Sequence, residues 1–381
     1  MLKKRNRRTL VCFVLISTIL LIGCWDYEDI DKKSLVISVG VDRVGDKVEF
    51  STEVAKLISR GEAAAEQVAI KGVYRDVSYG KTFEEARVSY DSKRAYPTFL
   101  GTTRVVVFSE KYAREGIESY LNRINNIFDY RKTLPAVVSR DPPRKLFDFG
   151  VENDISVGFF IEHNLRFLER TGAVLYPTIG ELLSNIAMGE IGYVLPYIGI
   201  DEGAIRYLGL AVMKDSKLIE IIDVKDTKGI LYILADQLQS TQAIPSPKEN
   251  GNLYSVKKTL EKRKIKTDYN DGRPIIHIQL DLKGELQYQY HIEPVSDAEI
   301  KKLEQEISQQ VKKDILKIVE RTQKEFECDI FRFGMYFRAD HPDIYKQIKW
   351  KEEYPKADIR VMVKTKIVNQ HLSDPNAEKK Y

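Results

Sequence analysis

Cys24 closes a segment suited to chemistry on sulfur. Lys3, Lys4, Arg5, Arg7 and Arg8 precede a thirteen-residue apolar run from Leu10 to Ile22, which ends in Leu21-Ile22-Gly23-Cys24. A basic head followed by a short apolar core describes an export signal, and a small residue directly before a cysteine is the pattern of a lipoprotein cleavage site. The expected chemistry is transfer of a diacylglyceryl group to Cys24 Sγ and cleavage ahead of it. The rival reading, a transmembrane helix, needs about 20 apolar residues. One acyl chain binds a membrane only marginally, whereas two anchor stably. Cys24 therefore predicts a body tethered to the outer face of a membrane. Trp25 and Tyr27 follow it and either seat the tether at the interface or pack as a first turn.

The remaining reactive side chains form no catalytic set. Cys12 leaves with the signal and Cys328 stands between Phe326 and Ile330, so the mature chain has no intrachain disulfide and Cys328 reads as a packed residue. His163, His277, His291, His341 and His371 include no short-spaced pair. His277 and His291 fall in one long extended pair and could approach each other, although surface or edge positions are the favoured reading. No glycine-rich phosphate loop and no Gly-x-Ser-x-Gly elbow occurs. No catalytic residue, cofactor or metal site is expected. Lys257, Lys258, Lys262, Arg263, Lys264 and Lys266 form a basic stretch that reads as a solvated strand face, with anionic headgroups as the alternative partner.

The elements that must carry these residues follow from periodicity. The chain has 381 residues, 43% hydrophobic and 30% charged, as in ordinary globular protein. Its formal charge of +4 is misleading, because the first 23 residues hold five basic groups and no acids; the rest is near neutral and gives no case for nucleic acid. Ser34 to Val41 reads as a central strand, Lys47 to Leu57 as a half-buried one, Gly61 to Glu66 as a loop and Val68 to Val77 as a third strand. Thr82 caps a helix to about Ala95, and Ser109 caps another to about Phe128. Strands are expected at Arg104 to Phe108, Leu134 to Val138 and Tyr193 to Ile200, with helices at Gly158 to Arg170 and Ile179 to Met188.

The second half opens with a hairpin, Ala204 to Met213 and Leu218 to Ile222. A helix from Asp226 to Leu238 and a loop around Ile244-Pro245-Ser246-Pro247 follow. Leu253 to Lys266 and Pro274 to Tyr290 form an antiparallel pair joined by Asp268 to Gly272. Ser296 caps the longest helix, to about Phe326, with Ile300, Leu303, Ile307, Val311, Ile315, Ile318, Thr322 and Phe326 on one stripe. A last helix follows His341-Pro342 and a strand spans Ile359 to Ile367. The order argues an α+β fold, with a signal peptide at 1–23, an N-terminal α+β region at 24–200 and a C-terminal α+β domain at 201–381.

Several segments, in order, resemble one family. Gly23-Cys24-Trp25-Asp26, Glu28, Ile30 and Val39-Gly40-Val41-Asp42 resemble the start of the GerC-type spore germination lipoproteins, the C subunits of nutrient germinant receptors. Gly209 to Lys214 with Lys217-Leu218, and Asp226-Thr227-Lys228-Gly229, resemble that family's hairpin and the helix start after it. Asp329-Ile330-Phe331-Arg332-Phe333-Gly334, His341-Pro342, Trp350 and Tyr354-Pro355 resemble its closing block. The likeness runs from Gly23 to about Leu372. Two departures are Arg332, where a small residue is expected, and Met213, where an aromatic is expected.

The resemblance implies an elongated, multi-lobed α+β body with mixed or antiparallel sheets, packed helices and a long helix near the C-terminus. It implies a subunit without established catalysis on the outer face of the spore inner membrane, beside a polytopic B subunit and a membrane-bound A subunit, in a complex that detects nutrients. Only Cys24, the lipidation site, carries over as a functional residue. A lipid-anchored solute-binding protein is the alternative, and an exported hydrolase ranks behind it because no nucleophile or metal set is recognisable.

Overall fold

The computed structural model describes residues 30–60, 67–127, 129–248 and 251–369. Its first sheet is centred on β1 (Ser34–Val44), which pairs antiparallel with β2 (Lys47–Arg60); β2 in turn pairs with β3 (Gln67–Gly80). The short β4 (Thr98–Phe99) joins the start of β1. On the other side run β5 (Val105–Ser109), β6 (Ala136–Ser139) and β7 (Tyr193–Asp201), all parallel, and then antiparallel β8 (Ala204–Lys214) and β9 (Lys217–Asp223).

The parallel centre explains the unbroken apolar runs, because such strands are covered on both faces. Side chains alternate across the sheet. Val106 and Phe108 join a core with α1 (Phe83–Asp91), α2 (Glu110–Glu115), α3 (Glu118–Asn126) and α6 (Ile179–Met188), while Val105 and Val107 join one with α4 (Pro143–Phe149) and α5 (Val157–Arg170). This double covering corrects one expectation. β2 is not half-buried: its polar side, Glu49, Ser51 and Glu53, is buried as well. The stretch expected to be helical from Ser109 to Phe128 is two helices, broken at Gly116, whose φ of +130° no helix accepts. α1 stops at Asp91, short of Ala95, and the chain after it returns so that Thr98 and Phe99 pair with β1. α4 has no counterpart among the expected elements; at seven residues it is too short to show a period, and Pro143 occupies its first turn.

The second sheet has the order β10 (Gln239–Pro245), β11 (Leu253–Asn270), β12 (Arg273–Gln289) and β13 (Asp358–Asn369). β11 and β12 are joined through Asp271-Gly272, with φ of 51° and 75°, a tighter turn than the five-residue link expected. The helix expected from Asp226 to Leu238 is only α7 (Lys228–Leu234); the chain beyond it becomes the edge strand β10, where Pro245 costs no ladder bond. The long α8 (Asp297–Lys324) starts at the capping box of Ser296 and Glu299 and buries the expected stripe. Trimming fully buried Leu303 to Ala would cost about 2–5 kcal/mol. α9 (Phe333–Asp340), also without an expected counterpart, comes before the short α10 (Pro342–Tyr345) and α11 (Trp350–Glu353). β13 then returns parallel to β12.

Candidate functional site at the junction of the two sheets

Residues 326–334 link the end of α8 to the start of β7. Asp329 is buried and its carboxylate accepts three bonds, from Phe331 N at 3.0 Å, Gly334 N at 2.8 Å and Trp350 Nε1 at 2.8 Å. Burial raises its carboxyl above the ordinary range, against the pull of those bonds. The Asp329 carbonyl accepts Gly192 N at 2.9 Å, just ahead of β7. Lys214 Nζ donates to Phe326 O at 3.1 Å, and Lys351 pairs with Asp215 at 2.6 Å. Gly334 has to be glycine, since a Cβ there would lie 2.7 Å from the Trp350 ring. Trp350 stacks on Phe337, and the Tyr354 hydroxyl meets Thr322 Oγ1 of α8 at 2.6 Å. The arrangement fastens one sheet to the other.

Cys328 behaves as the packed residue expected. It is buried with Sγ 3.9 Å from Met213 O, and burial pushes its thiol up to about 12. Arg332 sits at φ +62°, the left-handed region that favours a small residue and gives its departure from the family pattern a physical meaning. Met213, the other departure, is fully buried between Tyr193 of β7 and Leu218 of β9.

Other candidates separate. Cys24, with Trp25, Tyr27, His371 and the 61–66 loop, lies outside the described residues. His277 pairs with Asp268 at 3.2 Å, and His291 lies just past the other end of the same strand. At about 3.3 Å per residue the two are roughly 45 Å apart along the chain. Among the described residues no three His, Cys, Asp or Glu converge on a metal position.

The basic stretch does not form one face. In the pairing with β12, Lys262, Lys264 and Lys266 stand opposite Asp281, Gln279 and His277 on the open side. Lys258 and Arg263 turn inward. Buried Lys258 donates to Gln242 Oε1 at 3.0 Å, and desolvation lowers its ammonium to about 8. Arg263 Nη1 donates to Ala235 O at 2.7 Å, closing the C-terminal end of α7.

Beside the fastening segment lies a cavity of about 100 Å³ that sequence reasoning missed. Its walls come from the end of α5 and the loop after it (Glu169, Tyr176), α6 (Glu181, Asn185), the start of β7, the end of α7 (Asp236) and Arg332. No contiguous motif could have signalled it, because these residues come from five separate stretches.

Relatives match nearly all of this chain. Residues 26–200 match the family described as "Spore germination protein N-terminal domain", and residues 208–371 the one described as "Spore germination B3/GerAC like, C-terminal". Spore germination protein B3 of Bacillus subtilis is 22% identical over 382 residues, covering 97% of this chain and 98% of B3. Spore germination protein KC of the same organism is 22% identical and covers 94% of each. The crystal structure of the GerBC protein superposes with a TM-score of 0.57 at 17% identity, over 87% of this chain and 97% of that one, which establishes the likeness of fold. The chain belongs to the GerC-type family of spore germination proteins.

Proposed function

We propose that this chain is the C subunit of a nutrient germinant receptor, required for nutrient-triggered spore germination and held by a diacylglyceryl group on Cys24 to the outer face of the spore inner membrane. The observation that carries the reading is likeness to spore germination proteins over nearly all of the chain and of each relative. The export segment ending at Gly23-Cys24 supports the anchor. Among the described residues no helix is long and apolar enough to cross a membrane, so attachment through Cys24 supplies what the folded body does not.

In this reading the subunit acts by contact with A-type and B-type membrane subunits and catalyses nothing. The fastened junction suits that role: a body whose two sheets are tied by buried hydrogen bonds passes a push at one to the other without shearing. Cross-linked pull-down from spore membranes through a tag on the C-terminus tests it. Recovery of two membrane-embedded partners together with this chain is the expected result. Recovery of the chain alone, or with a transporter ATPase and its permease, contradicts it, and the second outcome favours the solute-binding alternative.

A further inference from the structure

The second sheet leaves one face open. Ile276, Ile278, Leu280 and Leu282 of β12 face the core that α7, α8, α9 and α11 share, so alternation turns His277, Gln279, Asp281 and Lys283 to the other side. Register then builds rows across the strands on that side. Lys266 aligns with His277 and Arg360, Lys264 with Gln279 and Met362, and Lys262 with Asp281 and Lys364. Lys257 and Lys366 extend the same face, opposite Glu285 and Lys283.

This face carries unspent positive charge. Lys257, Lys262, Lys264, Lys266, Lys364 and Lys366 have no hydrogen-bond or ion-pair partner among the described residues. The acids beside them do not balance them. Glu285 pairs with Lys283 at 2.7 Å, the charge of Glu261 acts on the same lysine, and Asp281 stands between two lysines. Lysines guard edge strands against stray pairing, which accounts for those of β13. β11 is an inner strand, and that account does not reach its lysines.

The end of the same face is aromatic. Tyr288 stands opposite Ser255, and its ring lies 5.7 Å from that of Tyr290. The two tyrosines are about half exposed, as is Met362 among the lysine rows, and Ile292 beyond them is 75% exposed. Tyrosine favours the membrane–water interface, and lysine is drawn to anionic headgroups. The two signals coincide on one face of a body that an acylated Cys24 would bring beside a bilayer.

We propose that the open face of the second sheet docks on anionic phospholipid headgroups, with the lysines of β11 and β13 on the phosphates and Tyr288, Tyr290 and Ile292 at the interface. The inference rests on the anchor reading, which brings the body to the bilayer, and adds the face that lies on it.

Amine acylation of the lipidated chain on vesicles tests this, with phosphatidylcholine alone or phosphatidylcholine mixed with phosphatidylglycerol. Flotation reads the anchor, and acylation reads the face. Lys262, Lys264 and Lys364 should react at least about fivefold more slowly on the anionic vesicles, the effect of one basic residue held near such a surface. Exposed Lys312 and Lys313, on the helix that covers the other face, should react equally on both. Salt at about 1 M, which screens charges beyond about 3 Å, should abolish the difference. Lys264→Gln together with Lys364→Gln, both at exposed positions, should leave the melting temperature unchanged and return Lys262 and Lys266 toward their rates on neutral vesicles. Equal rates on both vesicles, or equal slowing of Lys312 and Lys313, would overturn the docked face and leave the anchor standing. A chain that floats with neither vesicle overturns both. Slowing in spore membranes that anionic vesicles do not reproduce assigns the face to a protein and overturns the proposal as well.

Discussion

Two buried carboxylates, one in each half of the molecule, solve the same problem in different ways. Glu53 of β2 accepts Ser38 Oγ at 2.6 Å and the amides of Val157 and Gly158 at 3.0 and 2.8 Å, at the N-terminus of α5. Asp329 accepts two amides and the Trp350 indole. Both are buried, and in both desolvation raises the carboxyl despite the bonds. Glu53 holds a helix onto the sheet it belongs to. Asp329 holds its own loop in shape, and that loop's carbonyl reaches the other sheet. A buried acid can thus lock a local packing or a joint between units, and the joint has more to lose.

The largest expected effect is that of Asp329→Ala. It strands the Trp350 indole and two amides in a buried site, at a cost of about 1–3 kcal/mol for each donor left without a partner. Urea unfolding should show the midpoint falling and the single transition splitting as the two sheets part. A midpoint within error of the parent would rule out the joint. Gly158→Ala comes next. A Cβ there would fall 1.9 Å from Ser38 Oγ and 3.4 Å from Glu53 Oε2, so the helix must back away from the sheet. Overpacking of this kind costs about 1–3 kcal/mol, and the same urea titration should show one transition, lowered but not split.

The smallest effect is a pH dependence. Because the native state raises the Glu53 carboxyl, it binds a proton more tightly than the unfolded chain does. That contribution is complete below the ordinary carboxylate range and is lost as pH rises through the raised value. Glu53→Gln cannot titrate. Its deficit against the parent should therefore narrow as pH rises above the ordinary carboxylate range and through the raised value, by on the order of 1.4 kcal/mol for each tenfold by which folding tightens proton binding. A deficit that widens over that range would mean that the hydrogen bonds, not desolvation, dominate at Glu53.

The same pair shows what is legible in the sequence. Two of the amides on Asp329 lie within five residues of it, so the closing block is recognisable as a unit. The amide partners of Glu53 lie 104 and 105 residues away, and alternation in β2 reads as a half-buried strand because nothing local announces the covering helices. Capping boxes at Thr178 and Ser296 mark the starts of α6 and α8 because the partners lie three residues apart. Short elements escape: α4 spans just under two turns, too few for its period to stand out, and β10 carries a proline that suggests a loop. The basic stretch reads as one face, although Lys258 lies on the inward face and the β-bulge between Leu260 and Lys262 brings Arg263 to that face as well. The cavity is illegible because its wall is assembled from five stretches.

The central claim, a GerC-type body held by lipid, is tested most directly by intact-mass and peptide mass spectrometry of the native chain extracted from spore membranes. The predicted result is a mature chain that begins at Cys24 and carries a diacylglyceryl group on its sulfur. A chain that still begins at Met1, with an unmodified Cys24, would contradict it.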